Sequence, residues 1–158
     1  MKEIKAINDY SGINGIKIFL CGSIEMGKAE NWQKIIVGAL SPFDVLILNP
    51  RRDDWDNSWI QSIENKQFRE QVEWELKAQE DADIIVINFD PTTKSPITLL
   101  ELGLFHNKKM LVSCPKEYFR RGNVEIVCKR YNIAFYENIF QIIKELLKII
   151  CLNKGRHL

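Results

Sequence analysis

Apolar residues of this chain fall into short continuous runs that are separated by longer stretches of mixed polarity. We predict the short runs to be buried strands: residues 16–21, 44–48, 83–89, 109–114 and 132–136. The stretches between and after them are interpreted as helices, with apolar side chains recurring every three or four positions in the clearest cases: residues 26–40, 64–81, 97–107, 117–130 and 137–152.

Because the predicted strands are apolar on both faces, they indicate a parallel sheet that is covered by helices on both sides. Strand and helix alternate about five times, so we expect an α/β protein with a flavodoxin-like or Rossmann-like fold and about five parallel strands. In such folds ligands bind at the carboxyl ends of the strands, near the point where the strand order reverses. The residues that directly follow each strand are therefore the candidates for function.

The length of 158 residues and the apolar content of 46% predict one domain over residues 1–158 with a sizeable core. Residues 1–15 are interpreted as a short leader and residues 153–158 as a polar tail. The first residues contain no apolar signal segment, and no stretch approaches the roughly 18 apolar residues of a membrane span. We therefore expect a cytoplasmic protein without a membrane partner.

Charge and cysteine content exclude two classes of function. The net charge of +1 argues against a nucleic-acid binder that works by bulk electrostatics, although it allows one small ligand. The four cysteines form no CxxC pair and no metal-type spacing with either histidine, so we expect no metal site. Buried free thiols in a reducing compartment are the favoured interpretation, and a cysteine nucleophile has no support.

The loop after the first predicted strand reads GSIEMG, residues 22–27. Its glycines and serine lead into a predicted helix, where backbone amides can hold a phosphate or a sugar hydroxyl. A plain strand-to-helix turn explains the same residues equally well. The candidate ligand contacts in this loop are Gly22, Ser23, Ile24 and Gly27.

The loop after the second predicted strand reads NPRRDDWD, residues 49–56. An aromatic face in this loop could stack on a nucleobase, and a carboxylate could bond the edge of the base. The alternative is a solvated turn that uses asparagine and aspartate for its geometry, which the tryptophans disfavour because they are costly to expose. The candidate contacts here are Asn49, Arg51, Asp53, Asp54 and Trp55.

Glu101 follows the third predicted strand and lies within the first two turns of the next predicted helix. Pro96 suits the first position of that helix and Ser95 its cap. The partial positive charge of the helix start favours an ionised Glu101. Because the glutamate is embedded in an apolar run, residues 99–104, it either faces solvent or is half-buried for a purpose, and the residues alone leave both alternatives open.

These segments together resemble the nucleoside 2-deoxyribosyltransferase family, and more closely its divergent deoxyribosyltransferase-like branch. The resemblance covers about residues 16–130 and rests on the order and spacing of five segments. They are GSIEMG, NPRRDDW, QVEWEL followed by DADIIV, SPITLLELG, and RGNV.

The resemblance implies roles for three residues. Glu101 matches the nucleophile of the family, and Glu75, eight positions before Asp83, matches the acid that positions and protonates the base. Asn123 matches an asparagine that a neighbouring subunit contributes to bind the sugar, so the resemblance also implies a homo-oligomer, dimeric or larger. The family often has an aspartate shortly before the nucleophile, but residues 94–97 contain none. Asp53 or Asp54 is then the alternative contact to the base.

The implied reaction cleaves the N-glycosidic bond of a 2'-deoxynucleoside through a covalent deoxyribosyl–Glu101 intermediate and transfers the sugar to another free nucleobase. It requires no metal and no cofactor, and Pro96 and the two loops are expected to line the substrate. Hydrolysis of a nucleoside or a nucleoside 5'-monophosphate by the same glutamate is an alternative. A non-catalytic nucleotide sensor is another, and it would be favoured by a Glu101 side chain that points to solvent.

Overall fold

The computed structural model describes residues 1–24 and 31–154, which form six strands and five helices. In chain order these elements are β1 (Lys2–Lys5), β2 (Ile16–Gly22), α1 (Trp32–Leu40), β3 (Val45–Asn49), α2 (Lys66–Asp81), β4 (Ile84–Asn88), α3 (Pro96–Leu104), β5 (Met110–Ser113), α4 (Arg121–Arg130), β6 (Ala134–Tyr136) and α5 (Ile139–Lys154).

All six strands form one parallel sheet in the order β1-β3-β2-β4-β5-β6. The chain leaves β2 toward β3 on one side, and it leaves β4 toward β5 on the other side. The strand order therefore reverses between β2 and β4, and the connections that follow these two strands diverge. In open parallel sheets this divergence creates a crevice at the carboxyl ends of the strands.

The strands carry apolar side chains on both faces because helices cover both sides of the sheet. Alternate strand residues enter two separate cores: Phe19 packs with α2, α3 and α4, whereas Leu20 packs with α1 and α5. Each of these side chains is at most 1% exposed. The prediction of an α/β fold with a doubly covered parallel sheet is confirmed.

The first strand is the main feature that the hydrophobic pattern does not predict. Residues 2–5 pair in parallel with β3 at the edge of the sheet, where the pattern predicts only a leader. Three of the four residues are lysine or glutamate. Such residues suit a strand at the edge of a sheet, because one side of an edge strand faces water. The sheet therefore has six strands rather than about five.

The predicted helices all form, with shifted ends. Helix α4 begins at Arg121 rather than near residue 117, because residues 115–121 first make two tight turns with Tyr118 N–H to Pro115 and Arg121 N–H to Tyr118. The predicted start of the first helix, together with Gly27, lies outside the described residues. No helix in the described ranges has the length and apolar character needed to cross a membrane.

Three of the four cysteines, among them Cys21 and Cys114, are the buried free thiols that the sequence predicts. Cys128 is buried as well, and Cys151 is exposed near the end of α5.

Candidate active site

Several of the predicted functional residues lie around the crevice where the connections after β2 and β4 diverge, among them Gly22, Ser23, Glu75 and Glu101. Helix α3 follows β4 through the loop of residues 89–95, with Pro96 at its first position. Helix α2 ends just before β4 and packs on the same face of the sheet. This face carries both of the glutamates that the sequence singles out.

Glu101 points inward from α3 and is only 9% exposed. Each of its carboxylate oxygens accepts a hydrogen bond from a different element. The Cys21 thiol on β2 donates to Oε2 at 3.0 Å, and the Gln79 amide on α2 donates to Oε1 at 2.7 Å. Of the two orientations left open by the sequence, the structure has the buried one.

Glu75 lies on α2, one helical turn from Gln71 on one side and from Gln79 on the other. The Gln71 amide donates to Glu75 Oε1 at 2.6 Å and to the Pro50 carbonyl oxygen at 3.0 Å. This second bond connects α2 to the loop that follows β3. Residues four positions apart on a helix share one face, so Gln71, Glu75 and Gln79 form a polar row along the side of α2 that faces Glu101.

Burial dominates the electrostatics of the two carboxyls. It raises the pKa of Glu75 to about 8, with a further increase from the negative charge of Glu101 and a partly opposing effect of the Gln71 hydrogen bond. Burial also raises the pKa of Glu101, but the hydrogen bonds from Cys21 and Gln79 oppose that increase. Glu75 therefore favours the protonated form near neutral pH, whereas the two donors to Glu101 favour the ionised form of that carboxyl.

Three buried hydroxyls lie together at the same crevice. Ser23 Oγ and Thr93 Oγ1 are 2.7 Å apart, Thr93 Oγ1 and Ser95 Oγ are also 2.7 Å apart, and Ser23 and Ser95 are in direct contact. Ser95 occupies the cap position of α3, as predicted, but its hydroxyl makes no capping bond to the helix. The backbone of Ser95 is left-handed, with a φ of 46°. Its hydroxyl bonds Ser23 and Thr93 instead of the helix.

Gly22 brings the β2 backbone unusually close to β4. Its φ is 153°, and a Cβ atom at this position would be 2.4 Å from the Asn88 carbonyl oxygen and 2.9 Å from the Trp32 ring. The next residue, Ser23, donates its N–H to the same Asn88 oxygen at 3.2 Å. Glycine is therefore required for this turn, and Ile24 follows it half-buried.

Two residues predicted to contact a ligand, at the end of β3 and in the loop after it, are hydrogen-bonded to other residues of the protein. The buried Asn49 amide donates to Glu3 Oε1 at 2.8 Å, and its Oδ1 accepts the Arg51 N–H at 3.0 Å. The Arg51 guanidinium reaches Gln33 Oε1 at 3.4 Å. These bonds hold the start of the loop against β1 and α1.

The remaining predicted contacts of this loop form a small cluster. Asp54 pairs through two bonds of 2.8 and 2.7 Å with Arg52, whose guanidinium lies 5.2 Å from the Trp59 ring centroid. Trp55 packs edge-on against Trp59 at 5.1 Å. Asp53 contacts the Lys5 ammonium at the end of β1.

Two further predicted residues lie on the outer surface. Pro96 is exposed at the start of α3. Asn123 is exposed in the first turn of α4, and no hydrogen bond in the described part of the chain joins it to Glu101 or Glu75. Within a single chain, the structure therefore brings together the two glutamates but not the asparagine.

Residues 15–118, about two thirds of the chain, match a protein family described as nucleoside 2-deoxyribosyltransferase like. The chain belongs to this family. The resemblance inferred from the motifs is confirmed, and the family indicates an enzyme that transfers glycosyl groups in nucleoside metabolism. Both glutamates lie inside the matched range, and Asn123 lies beyond it.

Among solved structures, the crystal structure of a conserved protein from Enterococcus faecalis V583 has the same fold. It matches with a TM-score of 0.63 and 11% sequence identity, over 85% of this chain and 99% of that chain. Sequence identity this low supports the fold and nothing more specific. No match was found among curated proteins.

Sequence reasoning missed the two glutamines of α2 and the contact made by Cys21. Their helical spacing was a usable signal, because positions 71, 75 and 79 must share a face with the predicted acid. The Cys21 contact had no such signal, since it depends on how α3 packs on β2. The described residues include no group of three or more histidine, cysteine or acidic side chains arranged to hold a metal ion.

Proposed function

We propose that this protein is a nucleoside 2-deoxyribosyltransferase that cleaves the N-glycosidic bond of a 2'-deoxynucleoside and transfers the sugar to another nucleobase. The observation that carries the proposal is the pair of neighbouring carboxyls on α2 and α3, of which Glu101 is buried and Glu75 is half-buried. Two neighbouring carboxyls whose surroundings favour different protonation states are the usual equipment of a retaining glycosidic mechanism.

Glu101 is the nucleophile in this proposal. Cleavage develops positive charge at C1' of the sugar and negative charge on the departing base. An ionised carboxylate stabilises the first and then forms a covalent bond to C1'. As the C1'–N bond breaks, its electron pair passes to the base, and Glu75 donates its proton there.

The second half of the reaction reverses these roles. A nitrogen of the incoming base attacks C1', the bond to Glu101 breaks with its electrons returning to the carboxylate, and Glu75 takes up the proton that the new base loses. The proton count is unchanged over the cycle, so the transfer needs no external acid. The proposed steps involve no metal or cofactor.

Glu75 is a better proton donor than Asp54, the alternative that the sequence leaves open. The pKa of Asp54 is lowered, chiefly by its hydrogen bonds with Arg52, so this exposed carboxyl holds no proton near neutral pH. Glu75 is protonated there and lies beside Glu101. We assign Asp53, Asp54 and Trp55 to contacts with the base.

A homo-oligomer in which a neighbouring subunit contributes Asn123 belongs to the same proposal. Helix α3 exposes three large apolar residues on the face that adjoins Glu101: Ile97, Leu100 and Leu104, at 60%, 64% and 55%. An apolar stripe of this kind suits a protein interface. A second copy that covers α3 would bring its own side chains close to the crevice.

Hydrolysis of a nucleoside 5'-monophosphate is a second candidate, favoured by the hydroxyls of Ser23, Thr93 and Ser95. They lie at the crevice, and the backbone of Gly22 and Ser23 lies beside them. Hydroxyls and backbone amides are suitable donors to a phosphate, and equally to a 5'-hydroxyl.

The inward direction of Glu101 disfavours the third alternative, a sensor without catalysis. The buried free thiols fit our expectation of a cytoplasmic location.

Product analysis distinguishes these functions. The protein is incubated with a 2'-deoxynucleoside alone, with the same nucleoside and a second free base, and with the corresponding 5'-monophosphate. Transfer predicts a new nucleoside only when the second base is present, and hydrolysis predicts free base and sugar without it. If no nucleoside or monophosphate is converted, the proposed function is wrong.

A further inference from the structure

The carboxyl of Glu101 is held from two sides by groups that the family motifs do not include. We propose that Gln79 and Cys21 are positioning residues that fix both oxygens of Glu101 for attack, and that Gln71 does the same for Glu75. The inference rests on the proposed reaction at Glu101. None of the three residues needs to touch the substrate, because each acts through a glutamate.

Gln79 is fully buried, and within residues 1–24 and 31–154 its amide nitrogen is bonded whereas its amide oxygen is not. This nitrogen donates to Glu101 Oε1 at 2.7 Å and to the Glu75 carbonyl oxygen at 3.4 Å. Its oxygen is buried without a hydrogen-bond partner among the described residues. A buried polar atom that stays unpaired destabilises a protein by about 1–3 kcal/mol. An apolar side chain would avoid that cost, so this position is better explained by the bond to Glu101 than by stability.

Cys21 supplies the second donor, and its surroundings keep it a donor. Burial, followed by the nearby charge of Glu101, raises the pKa of the thiol well above its usual value. The thiol therefore keeps its proton throughout the neutral range and continues to donate to Oε2 at 3.0 Å. The titratable groups that influence Glu101 from the neighbouring elements are Cys21 on β2 and Glu75 on α2.

The spacing along α2 gives each carboxyl its own amide. Gln71 bonds Glu75 within the helix, and Gln79, eight positions later, bonds Glu101 across to α3. Loss of either amide removes a hydrogen bond to one carboxylate and leaves the bond to the other intact. This separation permits a matched pair of variants.

The first test measures the titration of the two glutamate carboxyls by carbon-13 NMR in the resting protein, without substrate. We expect Gln79→Met to raise the apparent pKa of Glu101 more than that of Glu75, and Gln71→Met to have the opposite preference. A hydrogen bond to an ionised group contributes enough that a shift on the order of one pH unit is expected. Unchanged or identical titrations in both variants would overturn the inference, whether or not the protein transfers deoxyribose.

The second test compares Cys21→Ala with Cys21→Ser in the transfer reaction. The serine keeps a donor at this position, and the alanine does not. We expect alanine to lower kcat roughly tenfold with little change in KM, and serine to recover most of the loss. Equal activity of the two variants, or an effect on KM alone, would contradict a positioning role for Cys21. This pair keeps the inference testable even if Gln79→Met does not fold.

Discussion

Glu75 and Glu101 have the same side chain, and their different surroundings decide which of the two carboxyls favours the protonated form. Glu101 is buried and has two donors from other elements, whereas Glu75 is half-buried and accepts one bond from its own helix. The sequence was sufficient to select both residues, because each lies in a recognisable motif. It was not sufficient to identify Gln79 as a partner of Glu101, since their contact depends on the packing of α2 against α3.

Burial of a protonated Glu75 makes the stability of the protein depend on pH. Its pKa rises from 4.5 to about 8 on folding, so the native state holds a proton between these pH values that the unfolded state releases. This group's contribution to the free energy of unfolding therefore falls as the pH rises from about 4.5 to about 8. Glu75→Gln removes this contribution, and we expect the variant to lose less stability between pH 5 and pH 8 than the wild type.

Urea denaturation at the two pH values measures this difference. The matched control is Glu73→Gln, which changes a glutamate of the same helix whose side chain is 68% exposed. The control should lose as much stability between the two pH values as the wild type does. If Glu75→Gln also does so, Glu75 is not buried as a neutral acid.

At the scale of elements, the strands were the easiest part to predict and the loops the hardest. Strands β2 to β6 are continuous apolar runs because both faces of the sheet are covered. The loop after β3 takes its conformation from distant residues instead, as when Asn49 bonds Glu3 and Gln71 bonds the Pro50 carbonyl. Residue type alone does not reveal that Asn49 is used in this way.

The close approach of β2 and β4 at Gly22 gives a prediction for the turn that carries Ser23. Gly22→Ala would place a methyl group 2.4 Å from the Asn88 carbonyl oxygen, at a backbone φ that side chains rarely adopt. Overpacking of this kind costs about 1–3 kcal/mol, so we expect a clearly lower Tm.

Gly38→Ala is the matched control, because a Cβ atom at this position in α1 meets nothing within 4 Å. Alanine is about 0.5–1 kcal/mol more favourable than glycine inside a helix, so this variant should be as stable as the wild type or more stable. If Gly22→Ala and Gly38→Ala have the same Tm, the turn at Gly22 is less constrained than the structure indicates.

At the scale of the whole molecule, the order of apolar runs predicted the architecture and the end of the sheet where the candidate site lies. It did not predict β1, because an edge strand of charged residues has no apolar run. Nor does one chain bring Asn123 to the glutamates, so the complete site in our proposal requires an assembly.

The exposed stripe on α3 makes that assembly testable. Leu100→Lys places a charge in the middle of the stripe, and we expect it to shift the protein from oligomer to monomer and to reduce transfer activity. Phe140→Lys is the control, since Phe140 is 67% exposed on α5, beyond the opposite face of the sheet. Sedimentation velocity measures both variants. A wild-type monomer, or a Leu100→Lys oligomer with normal activity, would contradict the proposed interface.

The central claim is that Glu101 bonds covalently to the sugar, and trapping that bond tests it most directly. The protein is mixed with a 2'-deoxynucleoside, quenched with acid within the first turnover, digested and examined by mass spectrometry. We expect one deoxyribosyl group on the peptide that contains Glu101, and no such group with Glu101→Gln, whose activity should fall on the order of 1000-fold or more. Deoxyribose on a different residue, or a Glu101→Gln variant that remains fully active, would contradict the account.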